Sequence, residues 1–581
     1  MTSRIEEQRG PFDVVREDGV PMTTRDGVVL RADVYRPSAD GAFPALVRRT
    51  PYGKRENDLA AEFNEAHYFA SHGYIVVVQD VRGRFSSEGE WAPAAEGADT
   101  YDAIEWAAQL PGCTGAVGTF GQSYGARLQY AAAALRPPHL RTCIPIAGPF
   151  PGMSHNGFVD LAWHLGYAIE MAADTWVREG RAEAYDDLRR QLVADPDQRF
   201  SPPKLELLEQ LPLTAWEERI GPIAQRLLDA VAVANRPIAA AGLDALFAPY
   251  TVPMLHVGSW YDANQWTTTA VYQGLRDHAG SDLARRNQAL LMGPWAHLLP
   301  YNLPTSGGTG DIDFGPDAAI FLLDAELQWF DHYLKHDGQE LPRAPVRIFV
   351  MGANRWRDEP AWPLARAEQQ TWFLHSGGSA NGLGGDGRLS TEPPAGEPPD
   401  RYRFDPGDPV PTCGGHALVG GGVYDQRANE SRADVLVYTS EPLAQDLELV
   451  GPVSVTLHVA TSAPDTDVFA TLVDVRPDGY AHNLLEGGVR LRHRIPGEIS
   501  LVEPGAVHEV TLNLWNACHV VRAGHRLRVH VTSSDFPRFD RNANTGAPIG
   551  SDAELRTADQ TLHHDGDRPS RLVLSVVRGP V

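Results

Sequence analysis

Gly121-Gln122-Ser123-Tyr124-Gly125 fits the pattern Gly-x-Ser-x-Gly, in which two glycines relieve crowding at a sharp strand-to-helix turn that lifts a serine hydroxyl clear of its neighbours. A serine hydroxyl is a poor nucleophile at neutral pH. It needs a histidine base, which in turn needs a carboxylate to orient it, and on such a turn the chain order is Ser, Asp or Glu, His. Asp262 and His297 fall in that order, each in a segment that follows a strand-like run: Val257-Gly258-Ser259-Trp260-Tyr261-Asp262 and Gly293-Pro294-Trp295-Ala296-His297. Acyl transfer also needs two donors aimed at the developing oxyanion. The backbone N–H of Tyr124, next after the serine, supplies one. The turn Arg49-Thr50-Pro51-Tyr52-Gly53-Lys54 should supply the other, and spacing leaves a backbone group, the Tyr52 hydroxyl and Lys54 all open.

The elements that must hold these residues are legible around them. Gly115 to Phe120 reads as the strand before the serine, and Ala126 to Leu135 as the helix after it, stopped by Pro137-Pro138. Tyr74-Ile75-Val76-Val77-Val78-Gln79-Asp80 is a nearly unbroken β-branched run, the mark of a central parallel strand covered on both faces. Val28 to Tyr35 and Phe43 to Arg48 read as earlier strands, and Tyr101 to Leu110 as a helix closed by Pro111-Gly112. From Gly148 to about Ala248 the apolar residues recur at helical period, as in Leu161, Leu165, Ala168 and Ile169, which predicts a helical insertion. Strands resume at Val252 to Val257 and Gln288 to Met292, and Ile320 to Leu334 reads as a further helix. Beyond Val346 to Met351 helix signals nearly vanish. Short β-rich runs with turns such as Pro477-Asp478-Gly479 then predict an antiparallel sandwich, and the Gly-, Ser- and Pro-rich stretch from Ser376 to Pro399 predicts loop.

At 581 residues the chain is several times a usual domain length, and 43% hydrophobic with 22% charged residues is ordinary globular usage. The formal charge of −24 repels phosphate backbones and anionic headgroups, so neither nucleic acid nor a membrane is an expected partner. The first residues are polar and no long apolar run occurs, which predicts a cytoplasmic protein. Cys113, Cys143, Cys413 and Cys518 are scattered, without a Cys-x-x-Cys pair. There is no His-Glu-x-x-His and no phosphate-binding Gly-x-x-x-x-Gly-Lys motif, so no metal and no cofactor is expected.

Seven ordered motifs together resemble the CocE/NonD hydrolase family: Arg49-Thr50-Pro51-Tyr52; Asp80-Val81-Arg82-Gly83-Arg84; the serine pentapeptide; Trp260-Tyr261-Asp262; Gly293-Pro294-Trp295-Ala296-His297; Val350-Met351-Gly352 with Trp356-Arg357; and Ser533 to Asn542. The resemblance runs from about Val20 to the C-terminus. It implies an α/β fold made of an α/β-hydrolase core, an inserted helical cap and a C-terminal β-sandwich, a jelly roll. The expected spans are 1–147 for the first part of the core, 148–249 for the cap, 250–345 for the rest of the core and 346–581 for the jelly roll. The resemblance also implies Ser123 as nucleophile, His297 as base, Asp262 as its orienting acid, and an oxyanion hole of the Tyr52 hydroxyl and the Tyr124 N–H. It leaves room for a homo-oligomer.

For the substrate pocket the expected residues are Trp163 in the cap, Trp260 and Trp295 beside the acid and the base, and Asn264. The α-amino-acid ester hydrolases of the family place a carboxylate pair just after the orienting Asp, where this chain has Asn264 and Gln265, so a cationic α-amino acyl group is disfavoured. Cocaine esterases have an aromatic residue at the place of Asn264, and a polar amide fits a benzoyl ring less well. The function expected is a serine hydrolase that cleaves an ester or amide acyl bond of a small molecule through a covalent acyl-enzyme. Two rivals are an X-Pro dipeptidyl aminopeptidase, which needs an acidic anchor in the cap such as Asp160 or Glu170, and a non-catalytic carbohydrate-binding protein built on the jelly roll.

Overall fold

The computed structural model describes residues 10–55, 65–151, 153, 157–197, 201–237, 242–297, 308–336 and 344–578. The first sheet is built from β1 (Val14–Thr23), β2 (Val29–Pro37), β3 (Phe43–Thr50), β4 (Ile75–Asp80), β5 (Cys113–Gln122), β6 (Leu140–Ile146), β7 (Met254–Tyr261), β8 (Gln288–Ala296), β9 (Val346–Val350) and β10 (Arg355–Glu359). Their order across the sheet is β1-β2-β4-β3-β5-β6-β7-β8-β9-β10. From β4 to β9 neighbouring strands run parallel, while β1, β2 and β10 pair antiparallel at the edges. Every residue of β4, β7 and β8 is buried, as expected for parallel strands with both faces covered.

The covering helices include α1 (Glu65–Ser71), α2 (Glu96–Ala108) and α3 (Tyr124–Ala133). Between β6 and β7 the chain leaves the sheet and forms the cap, with α4 (Leu161–Arg178), α5 (Ala182–Leu192) and α6 (Gln225–Ala234). It returns through β7 to α7 (Gln265–His278), and α8 (Leu322–Phe330) runs on into a wider turn, Asp331–Lys335. The long helix read from Ile320 to Leu334 is thus regular only over its first part.

The cap does not close its core alone. Trp216, Leu227 and Leu165 pack with Phe536 and Ile549 from a loop of the C-terminal domain. That domain is a sandwich of antiparallel strands around a large aliphatic core that includes Leu457, Leu472, Leu512 and Val529. Its strands Glu368–His375, Asp400–Phe404 and Ala558–His563 were not read from the sequence, because their apolar residues are too few to stand out. The stretch read as loop from Ser376 to Pro399 holds one short strand, Arg388–Ser390. β9 and β10 hydrogen-bond into the first sheet, which therefore runs on to Glu359.

Candidate functional site

Ser123 sits between β5 and α3 with φ of 56° and ψ of −111°, a left-handed backbone that a side chain rarely adopts. Gly121 has φ of +140°, a backbone that L side chains rarely adopt, and this lets the turn close. The Ser123 N–H donates to the Ile146 carbonyl at 2.8 Å, which pins the turn to β6.

The three residues picked by order along the chain meet here. His297 Nε2 lies 3.0 Å from Ser123 Oγ, and His297 Nδ1 lies 2.8 Å from Asp262 Oδ2. The Asp262 side chain is fully buried, and its second oxygen accepts the Asn264 N–H at 2.6 Å. Gln122, the variable residue before the serine, donates through Nε2 to the His297 carbonyl at 2.7 Å and holds the base from behind. Such a line of groups can move a proton from a hydroxyl to an imidazole while a carboxylate stabilises the cation that forms.

The turn after β3 is bound on both sides. Arg84, almost wholly buried, donates from Nε to the Pro51 carbonyl at 3.2 Å and from Nη1 to the Met171 carbonyl of α4 at 2.7 Å, so one guanidinium joins the turn to the cap. Lys54 is committed elsewhere: its ammonium lies 3.0 Å from Asp80 Oδ2 and its backbone N–H donates to Asp80 Oδ1 at 2.7 Å. The Tyr52 ring packs edge-on against Tyr124 and Tyr167, with centroids 6.3 and 6.2 Å apart. Burial, together with the neighbouring Tyr167, raises the Tyr52 phenol well above its ordinary pKa, so it stays protonated. Tyr124 opens α3, where first-turn N–H groups have no acceptor within the helix. Its own hydroxyl donates to Glu96, a buried carboxyl that burial raises above its usual range.

Of the residues expected around a substrate, Trp163 lines a cavity of about 250 Å³ between α4 and jelly-roll loops. Tyr167, one turn further along α4 and tilted against Trp163 with ring centroids 4.9 Å apart, lines it too, as do Leu418 and Val419. Asp160 and Arg538 bring charge to the same cavity. Asp160 caps α4 by accepting the Trp163 N–H at 3.2 Å, and burial pushes its carboxyl up to about 6 against the pull of Arg538. The structure places the other three differently. Trp260 is buried, donates from Nε1 to the Phe349 carbonyl at 2.8 Å and packs on Trp362. Trp295 is buried against Trp356. Asn264 is buried with its amide donating to the Ala147 carbonyl at 3.0 Å. Glu170, the other acid considered in the cap, lies 3.7 Å from Arg189.

Gln122, Arg84 and Tyr167 escaped the sequence reading. The first stands inside the serine motif, and the third is at i+4 from Trp163 on one helix, a spacing that puts both rings on one face. Arg84 gave no signal beyond membership of a motif.

Residues 26–299 match the family model described as X-Pro dipeptidyl-peptidase (S15 family), and residues 342–573 match the X-Pro dipeptidyl-peptidase C-terminal non-catalytic domain. Cocaine esterase of Rhodococcus sp. (strain MB1 Bresler) is 34% identical, with 98% of this chain and 99% of that protein covered. The chain belongs to the CocE/NonD hydrolase family. It is a serine hydrolase acting on ester or amide bonds, and the carbohydrate-binding alternative falls away with that membership. Among solved structures, an aminopeptidase from a marine sediment Thaumarchaeota archaeon superimposes with a TM-score of 0.76 at 25% identity, covering 98% of this chain and 97% of the other. An α-amino acid ester hydrolase superimposes with a TM-score of 0.72 at 24% identity over the same shares, which shows a shared fold. No described helix is long and apolar enough to cross a membrane.

Proposed function

We propose that this hydrolase cleaves a small-molecule ester or amide through an acyl-enzyme on Ser123. The observation that carries the reading is the single line of contacts from Ser123 Oγ through the His297 ring to Asp262, at 3.0 and 2.8 Å. Ser123 Oγ attacks the acyl carbon as its proton passes to His297 Nε2. Asp262 holds the ring in the right tautomer and stabilises the imidazolium. The carbonyl oxygen gathers charge against the Tyr124 N–H and the Tyr52 hydroxyl. His297 then protonates the leaving alcohol or amine, and water, activated by the same ring, releases the acid.

The acyl group enters the cavity beside Trp163 and Tyr167, whose aromatic walls suit an apolar group. Asn264 and Gln265, at the place of the carboxylate pair of the α-amino-acid ester hydrolases, do not line this cavity, and Asp160 is the carboxylate that does. Trp260 and Trp295 support the loops from below rather than touching substrate. The chain acts as a soluble cytoplasmic enzyme.

Hydrolysis of p-nitrophenyl esters graded by acyl length, branching and charge, with Ser123→Ala as blank, tests this reading. Turnover of neutral apolar acyl esters above α-amino acyl esters agrees with it; the reverse order contradicts the pocket. Asp160, on the cavity and half-buried, favours the peptidase as a second reading, because an acid at that place can hold a peptide ammonium. An X-Pro anilide cleaved faster than any simple ester, and lost in Asp160→Asn, would establish it instead.

A further inference from the structure

The jelly roll carries a cluster of chemistry-bearing side chains that the hydrolase reading does not use. Asp474 and His482 stand opposite each other on the antiparallel strands Asp467–Val475 and Ala481–Arg490, and His519 joins them from the strand His508–Val521. One donor atom from each lies within 4.8 Å of the other two, and each residue is only 2% exposed. His519 Nε2 is 2.9 Å from Asp474 Oδ2, while its buried Nδ1 has no hydrogen-bond partner. The first sheet reaches the same place. Tyr261, the last residue of β7, puts its hydroxyl 2.9 Å from His482 Nε2 and donates to the Asn483 carbonyl at 3.1 Å.

We propose that Asp474, His482 and His519 form a structural zinc site, with the Tyr261 phenol oxygen completing the fourth position as its proton is released to solvent. Two imidazoles and one carboxylate are a borderline donor set of the kind zinc takes, and the number of near donors matches its tetrahedral preference. The surroundings supply an outer contact of the kind metal ligands need: His525 Nδ1 lies 2.7 Å from the other Asp474 oxygen. Burial leaves no open position for substrate, which makes the site structural rather than catalytic. Its place is a seam. The Met351 N–H donates to the Cys518 carbonyl at 3.1 Å and the Val520 N–H to the Met351 carbonyl at 2.8 Å, bracketing His519, while Tyr261 immediately precedes Asp262. An ion here would fasten the jelly roll to the end of the strand that carries the orienting acid. Four separate strands supply the four ligands, so no sequence motif announces them.

The full chain, stripped with a chelator and returned to metal-free buffer, is loaded with zinc, gel-filtered and assayed for metal, with cobalt in a parallel sample as a spectroscopic probe. About one zinc retained per chain, a tetrahedral cobalt spectrum displaced by zinc, a higher Tm on loading, and loss of retention in His482→Gln with His519→Gln support the site. The cobalt spectrum of the wild-type chain decides the matter even where the double variant does not fold. Zinc that washes off the wild-type chain, or binds the variant equally, is an adventitious ion only and overturns the proposal.

Discussion

Gln265 and Asn516 exchange hydrogen bonds across the boundary between the core and the jelly roll: the Gln265 amide donates to the Asn516 carbonyl, and its oxygen accepts the Asn516 N–H at 3.4 Å. Asn516 also donates from Nδ2 to Thr269 Oγ1 at 2.9 Å, so the first turns of α7, just past Asp262, rest on the C-terminal domain. Replacing Gln265 by Leu removes both partners of a buried peptide backbone. Stability should fall by about 1–3 kcal/mol in urea unfolding, and kcat should fall with it as Asp262 loosens. Wild-type values in both would show that the jelly roll does not position the acid.

On the proposed mechanism Tyr52→Phe removes one oxyanion donor, and it leaves the ring contacts with Tyr124 and Tyr167 in place. Turnover should drop by about 10²–10³-fold with little change in KM, because the lost bond forms mainly in the transition state. A wild-type kcat would exclude the hydroxyl.

Lys54→Met separates the two side chains that the turn offers. The ammonium neutralises buried Asp80, so its loss should cost about 3 kcal/mol of stability, with kcat of the folded enzyme unchanged. A stable variant with collapsed kcat would move the oxyanion donor from Tyr52 to Lys54.

His256 gives the fold a defined acid limit. Its ring is wholly buried, 3.1 Å from the Tyr130 hydroxyl and 3.0 Å from Gln288 Oε1, and burial lowers its pKa to about 4. An unfolded histidine titrates near 6.5. Between these values the unfolded chain binds more protons than the native one, so the stability from this ring is complete above pH ~6.5 and is lost as pH falls toward 4, by roughly 3 kcal/mol in all. His256→Gln should flatten the fall of Tm across that window by the corresponding amount. An unchanged slope would contradict the burial argument.

The Ser, Asp and His positions were legible because chemistry restricts residue type, chain order and place after a strand, and β4 announced itself by a nearly unbroken β-branched run. The walls of the pocket were not. Trp163 and Trp260 look alike in sequence, yet α4 turns the first toward a cavity while the second donates to Phe349 inside the core. Asn264 stands beside the acid in the chain, but its amide is spent on Ala147. Contacts between distant strands, such as Tyr261 with His482, leave no local pattern at all. β9 and β10 read as β in either domain, and only their pairing partners assign them to the first sheet.

The most direct test is covalent. A fluorophosphonate incubated with the full chain and mapped by mass spectrometry should modify Ser123 alone, with activity lost in proportion, and Ser123→Ala should neither be labelled nor turn over ester while it melts like the wild type. Hydrolysis by Ser123→Ala near the wild-type rate, or an inactivating adduct on another residue, would contradict the account.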